Sequence, residues 1–278
     1  MLPITLGCDP EFFLESSLNG TLKSAINQVG GSKEEPRLLS RPGFYVQEDN
    51  VAVEFNIPPA RTLKAFAESI DWSIKEITKE VKNKHLKPRF SAAEIFPPYE
   101  LLSPKAQEFG CDPDYNAWQD GGMNGRPEAK NRLLRSCGGH IHVGIDRKLK
   151  SEEEKQQRIW DFVRAMDLYL GVPAVMMDAD VTRRELYGHA GAFRYQTYAP
   201  LAFEYRVLSN FWINNPETVS WVYTQTLRAV NHVWKLGHKK FSKFLEQNNL
   251  HTGIQTCINS SDVFLAQRLI DDHNLEVV

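Results

Sequence analysis

The stretch Gly7–Leu14, which reads Gly-Cys-Asp-Pro-Glu-Phe-Phe-Leu, places two carboxylates two residues apart among apolar neighbours. Residues two apart in a β-strand point to the same face, so Asp9 and Glu11 are predicted to project together. Two like charges beside a hydrophobic core are costly unless a cation lies between them. Pro10 has no N–H, so this strand is predicted to lie at a sheet edge or to leave that donor position unpaired. The stretch predicts either a solvated edge strand or a metal site.

Three further strand-like segments carry polar side chains in a similar pattern. They are Val51–Asn56 with Glu54, Ser136–Gly144 with His140 and His142, and Phe203–Leu208 with Glu204 and Arg206. A lone His-x-His pair is more often structural, but carboxylate-bearing strands beside it favour a metal site on one face of a sheet. Oxygen ligands with a single imidazole suit Mg²⁺ or Mn²⁺ better than Zn²⁺.

The composition is that of an ordinary globular protein. The 278 residues are 42% hydrophobic and 24% charged, enough for one large domain or two small ones. A net charge of −2 gives no basic field for nucleic acid. No stretch approaches the roughly 18 apolar residues of a membrane span, and the start lacks the basic region of a signal peptide. We therefore predict a cytoplasmic monomer or small homo-oligomer without nucleic-acid or membrane partners.

Hydrophobic periodicity and capping residues predict an α+β fold. Helices are predicted from Thr62 to about Lys84, from Ser151, from Pro216 to Leu236 and from Asp262 to His273. Strands are predicted at residues 4–14, 22–30, 43–56 and 200–210, and residues 86–135 are predicted to be mostly irregular. With strands concentrated in the first three quarters, we expect a mainly antiparallel sheet within one domain, residues 1–278.

The motifs follow the order found in the glutamine synthetase superfamily. Gly7–Phe13 resembles the first metal-binding strand of glutamine synthetases, Gly138–His142 their Gly-x-His-x-His segment, and Phe203–Arg206 their Ile-Glu-x-Arg strand. Together with Cys111–Trp118 and Tyr187–Arg194, these segments make the chain most similar to the phage-type carboxylate–amine (COOH–NH2) ligases. The similarity runs from about residue 5 to residue 215.

This resemblance implies a curved sheet with a metal and ATP site on its concave face and helices behind it. It implies that the metal ligands are Asp9, Glu11, Glu54, His140 and Glu204, with Glu48 as a further candidate. It places His142 near ATP or the carboxylate substrate, and it implies that the transferring phosphate is contacted by Arg194, Arg206 and Arg184. Asp9 stands where glutamine synthetases carry Glu, so its shorter side chain would shift that metal or require a bridging water.

The implied reaction is an ATP-dependent ligation in the cytoplasm, of the host if the chain is phage-encoded. A substrate carboxylate attacks the γ-phosphate, and an amine then displaces phosphate from the acyl phosphate. The substrates would be small molecules or peptides. The sequence contains neither a Walker loop nor a Gly-x-Ser-x-Gly elbow, so metals and arginines would hold the phosphates. The alternatives are a guanidino-kinase-like phosphotransferase, a non-catalytic binding protein that keeps the fold, and, more remotely, a hydrolase.

A long irregular segment, residues 101–135, is predicted to wall the site. Glutamine synthetases have an additional N-terminal domain, whereas only six residues precede Gly7 here. A loop of this length in a compact domain is usually functional. We expect it to bind the amine substrate through Asp112, Asp114 or Asn116, although these residues could instead form turns.

Overall fold

A computed structural model describes residues 2–107, 114–125 and 131–278. The described strands are β1 (Ile4–Cys8), β2 (Glu11–Ser16), β3 (Leu22–Lys23), β4 (Arg37–Leu38), β5 (Tyr45–Asp49), β6 (Ala52–Asn56), β7 (Leu86–Arg89), β8 (Ala93–Ile95), β9 (Tyr115–Asn116), β10 (Gly122–Met123), β11 (Leu134–Ser136), β12 (Ile141–Ile145), β13 (Ala192–Tyr195) and β14 (Leu201–Tyr205).

The described α-helices lie mainly in the second half of the chain. They are α1 (Leu63–Lys82), α2 (Pro104–Gln107), α3 (Glu152–Met166), α4 (Val172–Met177), α5 (Pro216–Leu236), α6 (His238–Gln247), α7 (Leu250–Ser260) and α8 (Val263–His273). A π-helical turn at Asp167–Gly171 joins α3 to α4.

The strands form two six-stranded sheets and one small two-stranded sheet. The first sheet has the order β1-β12-β14-β13-β9-β10. The second has the order β3-β2-β6-β5-β4, with β7 also paired to β2, and β8 pairs with β11. Every described pair is antiparallel. The predicted α+β class with a mainly antiparallel sheet is therefore confirmed, and the described strands are divided between two large sheets and one small one.

One predicted strand, residues 4–14, is broken in the middle, and the prediction of a single continuous strand is wrong. Strand β1 ends at Cys8 and β2 begins at Glu11, so Asp9 and Pro10 link the two large sheets. Pro10 cannot donate to a ladder, although its carbonyl accepts the N–H of Phe55 at 3.2 Å. Pro10 lies between β1 and β2 and outside both ladders, so the predicted edge position does not apply to it: β1 is a terminal strand, but β2 is paired with β3, β6 and β7.

The structure confirms the N-cap residues on which the predictions of α1 and α3 depend. Thr62 Oγ1 accepts the N–H of Ala65 at 3.2 Å, and Ser151 Oγ accepts the N–H of Glu154 at 3.2 Å. Each bond satisfies a donor that has no partner within its own helix.

Helix α7 was not predicted. The strand predicted at residues 22–30 is reduced to Leu22–Lys23, since the chain turns at Asn27, which has a φ of 64°.

Helices cover the sheets and complete the core. Helix α3 packs against β14 and α5, and α1 packs against β7 and α5. A smaller second core, formed by Phe13, Val51, Ala52, Phe96, Leu101, Ala106 and Cys137, lies beside the tip of the β5–β6 hairpin. Over the described ranges, no helix is both long and apolar enough to cross a membrane.

Candidate metal and phosphate site

Asp9, His140 and Glu204 form the first group of potential metal ligands. Asp9 lies in the link between the sheets, His140 directly precedes β12, and Glu204 lies within β14. The distance from His140 Nδ1 to Asp9 Oδ1 is 3.6 Å, and that to Glu204 Oε1 is 3.5 Å. One ligand atom from each residue lies within 4.8 Å of the others. We call these residues the histidine cluster.

Glu11, Asp49 and Glu54 form a second group, which we call the carboxylate cluster. Glu11 on β2 lies directly opposite Glu54 on β6, and Asp49 ends the neighbouring strand β5. One oxygen from each carboxylate lies within 4.8 Å of the others. Glu11 Oε2 also accepts the N–H of Gly138 at 2.7 Å, so the second sheet is tied to the segment that carries His140.

The electrostatics of the carboxylate cluster favour a bound cation. Burial, followed by the charge of Asp49, raises the pKa of Glu11 to about 8. Burial and the surrounding carboxylates, Asp9 foremost, raise the pKa of Glu54 well above its usual value. A divalent ion would remove this repulsion and favour the ionised forms. The donor set therefore fits Mg²⁺ or Mn²⁺, which prefer carboxylate oxygens.

His142 lies beside the histidine cluster and contacts the same carboxylate. Its Nε2 is 3.0 Å from Asp9 Oδ1. Burial favours the neutral imidazole, but the charge and hydrogen bond of Asp9, together with the charge of Glu204, outweigh burial and raise the pKa of His142. Burial also opposes ionisation of Asp9, yet His142 and His140 hold the pKa of Asp9 below its ordinary range. The spacing of two residues thus brings both imidazoles to Asp9.

Two of the three predicted arginines lie together at the site. Arg194 on β13 is opposite Glu204, and Arg206 directly follows β14. Arg206 Nη1 contacts Glu204 Oε1 and lies 3.2 Å from His140 Nδ1. Arg206 is 4% exposed, so its charge acts in a largely dry environment.

The third predicted arginine, Arg184, is directed away from the site. Its Nη1 donates to Ser261 Oγ at 3.1 Å, and its Nη2 is 3.8 Å from Asp178 Oδ2. The neighbouring Arg183 lines the cleft instead, and its guanidinium donates to the carbonyls of Val207 and Arg206 at 3.2 and 3.4 Å. Adjacent side chains in a 3₁₀ turn diverge, and no sequence signal distinguished the two arginines.

Glu48 was predicted as a metal ligand, but it lies outside the carboxylate cluster, and the neighbouring Asp49 occupies that position. Its Oε1 accepts the N–H groups of Val29 and Gly30 at 3.3 and 2.8 Å, and its Oε2 is 3.3 Å from Lys105 Nζ. These bonds hold the turn before β4, and Asp49 contributes to the carboxylate cluster. Successive strand residues point to opposite faces, so a one-residue difference in register decides which acid joins the carboxylate cluster, and Glu48 lines the cleft beside it.

The three candidates for amine binding have different positions. Asp112 lies outside the described residues. Asn116 is buried, where its Oδ1 accepts the N–H of Trp118 at 2.8 Å and its Nδ2 donates to Asn124 Oδ1 at 3.1 Å. Asp114 reaches the site, with its Oδ1 2.7 Å from Arg206 Nε and 3.6 Å from Arg194 Nε. This carboxylate therefore lies where an anionic ligand of the two arginines would bind.

Both clusters and the arginines open into one cleft of about 550 Å³. The cleft is also lined by Lys33, Gln47 and Gln196, which the sequence did not indicate, by Arg183, and by Lys105 and Arg135 of the segment predicted to wall the site. Gln196 Nε2 donates to Glu204 Oε2 at 3.0 Å. Gly138 and Gly139 allow the close approach, because a Cβ on Gly138 would collide with the His140 ring and one on Gly139 with the carbonyl of Ser209.

Residues 129–273, more than half of the chain, match the model of the phage phiEco32-like COOH·NH2 ligase type 2 family. The chain belongs to this family, and it is therefore an enzyme that joins a carboxylate to an amine. None of the curated proteins compared with the chain matches it.

Three solved structures are similar to the chain. GmaS without ligand is 11% identical with a TM-score of 0.43, covering 100% of this chain and 70% of that one. The GmaS/ADP complex is 10% identical with a TM-score of 0.42, covering 100% and 71%. Plasmodium falciparum glutamine synthetase is 9% identical with a TM-score of 0.44, covering 83% of this chain and about half (52%) of that enzyme.

Proposed function

We propose that the enzyme activates a carboxylate with ATP and Mg²⁺ or Mn²⁺ and then transfers the acyl group to an amine. The substrates are proposed to be an amino acid or peptide and a small amine, bound within one catalytic domain, residues 1–278. The observation that carries this proposal is the meeting of two potential ligand groups and two buried or half-buried arginines in one cleft. Amide formation from a free carboxylate needs activation, and phosphoryl transfer supplies it.

Some of the residues would hold metal ions, and others would neutralise the negative charge of a phosphoryl group. The histidine cluster and the carboxylate cluster would each hold a divalent ion, with His142 orienting Asp9. When bound, such ions would neutralise negative charge during phosphoryl transfer. Arg206 and Arg194 present guanidinium groups that suit the planar, multiply charged oxygens of a phosphoryl group.

The contacts within the cleft also support a position for each substrate. Arg206 and Arg194 lie beside the histidine cluster, so the carboxylate to be activated is proposed to lie between these groups. Asp114 already contacts both arginines, and an incoming phosphoryl or carboxylate group would take over these contacts. A displaced Asp114 carboxylate would then be available to the ammonium form of the amine and could accept its proton.

Metal dependence tests this function with a matched pair of variants on one strand. Glu11→Gln removes a charge from the carboxylate cluster, whereas Glu15→Gln changes a glutamate on β2 that pairs with Lys87 and Arg89 outside the site. ATP turnover should stop in EDTA, return with Mg²⁺ or Mn²⁺, and be lost in Glu11→Gln but kept in Glu15→Gln. Turnover by Glu11→Gln in EDTA at the wild-type rate would contradict the assignment.

A further inference from the structure

The three acids of the carboxylate cluster differ in the strand pairing and hydrogen bonds that fix their positions. Glu54 lies on β6, which is paired on both sides by β2 and β5. Glu11 lies on β2, and its carboxylate accepts the backbone N–H of Gly138. Asp49 is the last residue of β5, at the start of a tight turn into β6. Its placement against two like charges therefore depends on what fixes that turn.

The turn is fixed by Asn50 and by the small second core. Asn50 adopts a φ of 54°, a left-handed conformation that asparagine tolerates better than most residues. Its Oδ1 accepts the N–H of Val51 at 2.9 Å. Val51 is 1% exposed and packs in the second core with Leu101 and Ala106, which come from the segment around α2.

The side chain of Asn50 also connects the turn to two distant parts of the chain. Its Nδ2 donates to the carbonyl of Lys105 at 3.0 Å, and its Oδ1 accepts from Arg135 Nε at 3.2 Å. Arg135 is 7% exposed, and its Nη2 donates to the carbonyl of Ala106 at 2.6 Å. Its Nη1 donates to the carbonyls of Arg132 and Leu134 at 2.9 and 2.8 Å.

We propose that Asn50 and Arg135 are positioning residues that hold Asp49 within the carboxylate cluster and so set its affinity for a divalent cation. This inference rests on the proposed function, because it assumes that the cluster binds a metal. The hydrogen bonds described for the guanidinium go to backbone carbonyls and to Asn50, so its contribution to the metal site is made through the turn. The segments around Lys105 and Arg135 thus support the metal site, beyond their predicted role in walling the cleft.

Direct metal titration tests this proposal without relying on turnover. Mn²⁺ binding would be measured by isothermal titration calorimetry and by electron paramagnetic resonance, on wild type, Asp49→Asn, Asn50→Gly and Arg135→Lys. Glycine keeps the left-handed turn and removes only the side-chain bonds. Lysine keeps the charge and loses the fork of donors. The matched control is Asn274→Gly, which changes another left-handed asparagine, at the end of α8.

Wild type and Asn274→Gly should bind two Mn²⁺ ions. Asn50→Gly and Arg135→Lys should weaken one of the two sites by about tenfold or more, the range measured for residues that orient metal ligands, and should leave the other unchanged. The weakened site should be the one lost in Asp49→Asn, and thermal melting would show that each variant is folded. If one variant does not fold, the other decides the test.

Two results would overturn the inference, and they are distinguishable. Unchanged affinities at both sites in Asn50→Gly and Arg135→Lys, with a loss in Asp49→Asn, would show that the turn contributes nothing to metal binding while the proposed function stands. Failure of the wild-type protein to bind Mn²⁺ at all would overturn the proposed function itself, and this inference with it.

Discussion

At the scale of single residues, the carboxylate partners of the arginines fix the orientation of the positive charge in the cleft. Arg206 lies between two acids, with Nε at Asp114 and Nη1 at Glu204. A buried guanidinium with two carboxylate partners is held in one orientation, so it is already aimed before a substrate arrives. Such preorganisation is an effective way to stabilise charge that develops during a reaction.

Arg206→Lys should lower kcat strongly and leave the fold intact. Lysine keeps the charge but cannot contact Glu204 and a phosphoryl group from one planar fork, and losses at comparable arginines reach about 10³-fold. ADP release would be followed in a coupled assay, beside a thermal melt. Arg184→Lys is the matched control, because Arg184 contacts Ser261 and Asp178 away from the cleft. A wild-type kcat in Arg206→Lys would show that this arginine is a bystander.

Asp114→Asn should tighten the binding of inorganic phosphate. The substitution removes the negative charge that competes with an anion for Arg206 and Arg194. Calorimetric titration with phosphate measures the change, with Asp120→Asn as the control for an exposed acid paired to Arg164. Unchanged phosphate affinity together with a higher KM for the amine would show that Asp114 serves the amine and does not compete at the arginines.

At the scale of secondary-structure elements, one buried carboxylate joins the helical layer to the first sheet. Asp167, in the π-helical turn between α3 and α4, is fully buried. Its Oδ2 accepts from Trp118 Nε1 and from the N–H of Gly191, each at 2.6 Å, and its Oδ1 accepts from the Tyr205 hydroxyl at 2.8 Å. Burial, despite these three donors, raises the pKa of Asp167 to about 7.

This shift predicts how Asp167 affects stability with pH. An unfolded aspartate has a pKa of about 3.9, so between about pH 4 and pH 7 the folded protein keeps a proton that the unfolded chain releases. The stabilisation from this group is complete below about pH 4 and is lost as the pH rises through 7. Asp167→Asn has no proton to release, so its free energy of unfolding relative to wild type should increase from pH 5 to pH 8.

Urea unfolding of wild type and variants at these two pH values measures the effect. An asparagine can still accept from Trp118 and Gly191 and donate to the Tyr205 oxygen, so this variant should fold normally. Asp167→Ala leaves three buried donors without an acceptor and should lower the free energy of unfolding by roughly 3 kcal/mol or more. A difference between wild type and Asp167→Asn that is the same at both pH values would contradict the pKa assignment.

At the scale of the whole molecule, the cleft lies where the two large sheets meet. His140 and Glu204 belong to the first sheet or its edge, whereas Glu11, Asp49 and Glu54 belong to the second. The Asp9–Pro10 link joins the sheets covalently, and the hydrogen bond from Gly138 to Glu11 joins them at the site itself. The relative placement of the two clusters therefore depends on this junction.

The sequence predicted this arrangement where local rules apply. Periodicity and capping gave α1, α5 and α8, and polar residues two apart indicated the strands that line the cleft. Local rules could not choose between Glu48 and Asp49, or between Arg183 and Arg184, since adjacent residues differ only in which face they present. Nor could they reveal the pairing of Asp114 with Arg206, which joins residues far apart in sequence.

The most direct test of the central claim is the identity of the products. The protein would be incubated with ATP, Mg²⁺ and pooled amino acids or peptidoglycan peptides, and the mixture searched by mass spectrometry, with Glu11→Gln as the blank. We expect a new compound whose mass is that of a carboxylate plus an amine minus one water, formed together with ADP and inorganic phosphate in equal amounts. A phosphorylated guanidine formed with ADP and without free phosphate would contradict this account and identify a phosphotransferase.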